Sequence, residues 1–122
     1  MVGDSLFLVD DDAAVRRALK FAFELDGYRV ETFPDGESLA RCARLPADHA
    51  CLIVDYELPG MDGLTLIEAL RRRSVRLPAV LITTNPTAQV RRRAQAAGVD
   101  IVEKPLLSDA LGRAIEQAVA PP

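Results

Sequence analysis

Three apolar stretches of this chain, and a short mixed fourth, stop at polar residues of the kinds that carry chemistry. Ser5–Val9 leads into Asp10, Asp11 and Asp12; Cys51–Val54 into Asp55; Leu77–Ile82 into Thr83 and Thr84; Val99–Glu103 into Lys104. A run that stays apolar is the mark of a strand buried on both faces, so the polar residue after it stands where the strand leaves the sheet. Carboxylates gathered at such an edge repel by about 4 kcal/mol per pair at about 4 Å in a medium of intermediate dielectric. A cation or protons must therefore be held there. With oxygen ligands only, and the lone His49 in a loop, the set suits a hard ion, Mg²⁺ or its substitute Mn²⁺. A carboxylate is also a nucleophile, able to form an aspartyl phosphate when a metal neutralises the incoming phosphoryl group. Asp55 is best placed for that role, Asp10 and Asp11 for holding the metal, and Lys104 and Thr83 for meeting phosphoryl oxygens.

These residues are far apart in sequence, so the elements between them must bring them together. From Ala13, the residues Val15, Ala18, Leu19, Ala22 and Phe23 recur at helical spacing, with Asp11 or Asp12 as cap and Gly27 as stop. Tyr28–Phe33 alternates as an edge strand, and a second helix runs from Asp35 to near Leu45, before Pro46. Asp62 caps a third helix with Leu66, Ile67 and Leu70 inward; Asn85 and Pro86 open a fourth with a thin apolar face of Val90, Ala94 and Ala97. Ser108 caps a fifth, whose Leu111, Ala114, Ile115, Ala118 and Val119 form the clearest stripe. Five strands alternating with five helices predict a flavodoxin-like (βα)5 three-layer α/β sandwich, its parallel five-stranded sheet in the order 2-1-3-4-5. Ligands of such sheets bind at the carboxyl ends of the strands, where Asp10, Asp11, Asp55, Thr83 and Lys104 fall.

The 122 residues are expected to form a single domain, with 49% hydrophobic and 27% charged residues as in ordinary globular chains. No apolar run approaches the roughly 18 residues of a membrane helix, and no basic flank marks a leader, so a cytoplasmic protein without a membrane partner is expected. A net charge of −3 argues against a nucleic-acid surface; Arg71–Arg73 and Arg91–Arg93 read as solvated helix faces. Cys42 and Cys51 match neither a metal knuckle nor a redox motif and read as buried thiols.

In combination, V-D-D-D at 9–12, D-Y-E-L-P-G-M-D-G at 55–63, L-I-T-T at 81–84 and E-K-P at 103–105 resemble the receiver domain of bacterial two-component response regulators of the chemotaxis-regulator kind. The resemblance covers essentially the whole chain. It implies Asp55 as phosphoacceptor from a sensor histidine kinase or phosphotransfer protein, and Asp10, Asp11, Asp55 and the backbone carbonyl of Glu57 as the protein's metal ligands. Thr83 would be the switch hydroxyl and Lys104 the phosphate partner, bonded in cis to Pro105. The surface of helix four, strand five and helix five would meet an effector domain, a downstream protein or a second copy. Such a protein is no enzyme beyond its own phosphorylation and autodephosphorylation, and residues 1–122 would be a whole regulator or a piece of a longer one.

Ile101 stands where the family often has a rotating Tyr or Phe, and Thr84, Leu58 and Leu106 also depart from the common pattern. Glu57 and Asn85 are expected to tune the lifetime of the acyl phosphate by controlling access of water. Two rivals share some of the chemistry. A haloacid-dehalogenase-like phosphohydrolase also uses an aspartyl phosphate, but wants a second acid that Glu57 imitates only loosely and a cap for which 122 residues leave no room. A phosphorylation-independent protein-binding module would keep the pocket without using it.

Overall fold

Successive side chains of a strand point to opposite faces, so a strand apolar at every position must be covered on both. That holds for β3 (Ala50–Asp55), all six of whose residues are buried at the centre of the sheet. The computed structural model describes residues 4–42, 45–46, 48–104 and 110–119. Around β3 lie β1 (Ser5–Val9), β2 (Arg29–Phe33), β4 (Ala79–Thr83) and β5 (Val99–Glu103), all parallel, in the order β2-β1-β3-β4-β5. The strand order and three-layer architecture are those predicted.

The helices α1 (Ala13–Leu25), α2 (Gly36–Ala40), α3 (Gly63–Arg72), α4 (Ala88–Ala96) and α5 (Ala110–Val119) divide between the faces. Phe23 of α1 with Leu111 and Ile115 of α5 covers Leu6, Leu8, Ile53, Val80 and Ile82. On the other face Leu39 of α2, Leu64, Leu66, Ile67 and Leu70 of α3, and Val90 and Ala94 of α4 cover Val9, Leu52, Val54 and Leu81. Each cap is local: Asp12 accepts from the Ala14 amide at 2.9 Å, Asp35 from Ser38 at 2.8 Å, Asp62 from Thr65 at 2.7 Å and Thr87 from Val90 at 3.1 Å. Among the described residues no helix is long and apolar enough to cross a membrane.

Some expectations fail for identifiable reasons. Helix α4 begins at Ala88 behind Thr87, not at Pro86 behind Asn85, because Asn85 adopts a left-handed φ of 44° and still belongs to the turn leaving β4. Helix α2 stops at Ala40, five residues short of Leu45, which nonetheless packs on the core from the following loop. On α1, Ala18 and Ala22 are exposed; the helix turns its larger residues, Leu19 and Phe23, inward and leaves Phe21 and Leu25 67% and 72% exposed. Arg71 and Arg93 are half-buried and bonded, not solvated. The expected Ser108 cap, the Lys104–Pro105 bond and Leu106 lie outside the described residues.

Candidate functional site

The sheet register assembles the site. Val9 is level with Val54, so Asp10 and Asp55 leave adjacent strands side by side. Asp55 pairs with Ile82, placing Thr83 one step further along β4, and Thr83 pairs with Glu103, so Lys104 follows on β5. Backbone bonds extend these pairings past the strand ends: the amides of Asp10, Tyr56 and Lys104 donate to the carbonyls of Phe33, Ile82 and Thr83 at 3.1, 2.8 and 2.8 Å. One carboxyl oxygen from each of Asp10, Asp11 and Asp55 lies within 4.8 Å of the others. Asp10, Asp55 and Thr83 are buried, while Asp11 is exposed and rims the pocket.

Asp55, only 2% exposed, is held at both carboxyl oxygens. Its Oδ2 accepts from Lys104 Nζ at 2.9 Å and its Oδ1 from the Glu57 amide at 3.1 Å. Burial acts to lower the Lys104 pKa, but the hydrogen bond and charge of Asp55, with the charges of Asp10 and Glu57, outweigh it and hold the ammonium above its ordinary value. For Asp10, burial first and the Asp55 charge next raise the pKa above the ordinary range, against an opposing hydrogen bond from the Asp12 amide at 2.9 Å. Lys104 bonds Asp55, while Asp10 receives no cation on its carboxylate among the described residues. The pocket is thus short of positive charge, and an oxygen-only donor set of this kind fits a hard divalent cation.

One support was not visible in the sequence, and a second only ambiguously. Arg16, one turn into α1, donates from Nη1 to the Asp10 carbonyl at 2.6 Å, a contact across six residues that no motif marks. Gly63 has a signal, but an ambiguous one. Its amide bonds the Tyr56 carbonyl at 2.8 Å, and a Cβ there would sit 2.2 Å from the Asp55 carbonyl oxygen, so only glycine lets the turn close against β3. The Glu57 side chain is exposed, its amide engaged by Asp55; Ile101 is half-buried against the α4 side of the core.

Comparison with known proteins gives this geometry its family. The C4-dicarboxylate transport transcriptional regulatory protein DctD of Pseudomonas aeruginosa is 33% identical over 117 residues, spanning 93% of this chain and 25% of that protein. The structure of the response regulator StyR matches with a TM-score of 0.86 and 36% identity over 98% of this chain and 60% of that one. The response regulator TrrA of Thermotoga maritima, solved in complex with Mg²⁺ and BeF, matches with a TM-score of 0.77 and 25% identity over 94% and 98% of the two chains. The chain therefore spans a quarter of DctD and three fifths of StyR. The model of the response regulator receiver domain matches residues 6–116, and the chain belongs to that family.

Proposed function

We propose that this receiver domain is a phosphorylation switch in which Asp55 takes a phosphoryl group from the phosphohistidine of a sensor histidine kinase or phosphotransfer protein. The observation that carries the reading is the buried Asp55 carboxylate, bonded to Lys104 and crowded by Asp10 and Asp11. A carboxyl oxygen of Asp55 attacks phosphorus, the phosphorus–nitrogen bond breaks, and its electron pair returns to the donor imidazole. Asp10 and Asp11, with the Glu57 carbonyl, would hold a Mg²⁺ ion, which when bound neutralises phosphoryl oxygens; TrrA, similar in fold, is known in a Mg²⁺ complex. Lys104 keeps a cation beside the acceptor throughout, and Thr83, at the end of β4, offers its hydroxyl to the new phosphoryl group.

The signal then passes to the α4–β5–α5 surface, which would meet an effector domain, a downstream protein or a second copy. DctD is by name a transcriptional regulatory protein four times the length matched here, which supports an attached or separate effector in the cytoplasm. Helix α4 is the element suited to move: it buries only Val90 and Ala94, and two ion pairs tie it down, Arg93 to Glu68 at 2.8 Å and Arg91 to Glu103 at 3.1 Å.

Mass spectrometry after incubation with acetyl phosphate and Mg²⁺ tests the reading. One added phosphoryl group per chain, lost in Asp55→Asn, is expected. Labelling that survives in Asp55→Asn, or none in the wild type, overturns it. Catalytic turnover of a phosphate ester would point to a hydrolase.

A further inference from the structure

Arg71, Arg76 and Arg93 line a groove of about 640 Å³ with Glu68, Pro78, Ala96, Ala97 and Gly98. It lies between the carboxyl ends of α3 and α4 and the starts of β4 and β5, at the edge of the sheet opposite Asp55. The volume is in the range of small-molecule sites, about 300–1,000 Å³.

The charges in its wall do not cancel. Glu68 is the one acid there among the described residues, and it is occupied by Arg93, with contacts of 2.8 and 3.3 Å. Arg71 is bound to neutral groups: its Nη1 donates to the carbonyls of Val75 at 3.1 Å and Leu77 at 2.7 Å, and its Nε to that of Ala97 at 3.4 Å. These bonds fix the guanidinium in place without neutralising it. They also mask carbonyls that would otherwise turn negative charge toward a ligand. Arg76 adds a second guanidinium; burial first, and the Arg76 charge next, pull the Arg71 pKa below its ordinary value. The groove thus holds two positive charges that no carboxylate balances among the described residues, beside a wall of small apolar residues. At Gly98 a Cβ would meet nothing within 4 Å, so the backbone there is open to contact.

We infer that this groove binds a small molecule bearing a diphosphate, its oxygens taken by Arg71 and Arg76 and its remainder lying against Pro78, Ala97 and Gly98. Arg71, whose Nε and Nη1 are taken by backbone carbonyls, offers its Nη2 donors from a guanidinium that loses little freedom on binding, and Arg76 offers a whole fork of the kind that matches phosphate geometry. A nucleic-acid face is the less favoured occupant: Arg72, Arg73 and Arg92, which a long polyanion would recruit, are absent from the groove wall.

The test is a titration of ¹⁵N-labelled protein with pyrophosphate, and separately with ADP, at constant ionic strength and with a chelator present to keep cations from the Asp55 pocket. Saturable shifts at the Ala97 and Gly98 amides are expected. Arg76→Ala, at an exposed position that does not threaten folding, should weaken binding about tenfold, as one charge-assisted contact predicts. Arg71→Lys, which keeps the charge but loses the carbonyl anchoring and the Nη2 donors, should weaken it as well, while Arg72→Ala and Arg92→Ala leave it unchanged. Tighter binding of ADP would assign a nucleoside diphosphate, and equal binding a bare diphosphate. Shifts that never saturate, shifts centred on Asp55, equal losses in Arg72→Ala and Arg76→Ala, or displacement of pyrophosphate by a short DNA duplex acting through Arg72 and Arg92 would each overturn the inference.

Discussion

Replacing Gly63 by alanine should damage the protein more than any comparable change in a loop. The added methyl would lie 2.2 Å from the Asp55 carbonyl oxygen, 2.7 Å from Val54 Cγ1 and 2.9 Å from the Asp55 carbonyl carbon. Two of these atoms are backbone of the central strand, hydrogen-bonded on both sides, and cannot yield as a side-chain tip would. Overpacking a core costs about 1–3 kcal/mol, and an obstacle made of backbone belongs at the top of that range. Relief by moving the turn would stretch the Gly63–Tyr56 bond of 2.8 Å, worth about 1 kcal/mol. The expected loss is therefore about 3–4 kcal/mol, a large part of the roughly 5–15 kcal/mol that holds an ordinary domain together. Gly112 supplies the control, because a methyl at that position in α5 meets nothing within 4 Å. Gly112→Ala should stabilise by about 0.5–1 kcal/mol, since alanine loses less backbone freedom in a helix. Urea unfolding of both variants checks the pair. A loss below about 1 kcal/mol for Gly63→Ala, with unchanged backbone shifts at Asp55, would refute the account of why this turn needs glycine.

Asp35 offers a pH test. Hydrogen bonds from the Ser38 hydroxyl and amide hold its pKa below the ordinary 3.8, so its stabilising effect is present above that value and lost as pH falls through the lowered one. Wild type should lose stability more steeply than Asp35→Asn below pH 3.8, and parallel pH profiles would contradict this. Glu57→Ala and Asn85→Ala should each change the dephosphorylation half-life of the labelled protein severalfold, with Asn85→Gly as the control that keeps the left-handed backbone; unchanged half-lives would remove both residues from the mechanism. Comparing free and beryllofluoride-bound structures should show α4 displaced while Ile101 keeps its rotamer, and a large Ile101 rotation would count against a switch carried by Thr83 and α4.

The inner strands β1, β3 and β4 were the most legible part of the sequence because burial on both faces leaves an apolar run, and each run ended within a residue or two of its chemistry; the outer strands β2 and β5 carry mixed patterns. The strand pattern alone places Asp10, Asp55, Thr83 and Lys104 on one edge. Helix starts were harder. Asn85 and Thr87 are both good caps, and only the turn out of β4, which needs a left-handed residue at Asn85, decides between them. Alanine carries too little apolar surface to orient a helix, so α1 follows Leu19 and Phe23 while Ala18 and Ala22 face water. The run Arg71–Arg73 looks uniform, yet the fold gives Arg71 three backbone carbonyls and leaves Arg72 exposed. Nothing in the spacing distinguishes them, because the carbonyls come from residues placed by tertiary structure.

Because the pocket draws Asp10, Asp55, Thr83 and Lys104 from four different strands of a parallel sheet, no local segment can form a working part of it. Lys104 and Asp55 are 49 residues apart and meet only after β5 has joined β4. Parallel pairings of this kind are slow to form, since the chain must close long loops before any contact repays them. A chain whose β5 has not yet joined β4 therefore lacks the Lys104–Asp55 pair. With Asp55 as the proposed acceptor, uptake of a phosphoryl group would certify that β5 has docked, and time-resolved labelling during refolding would follow its arrival.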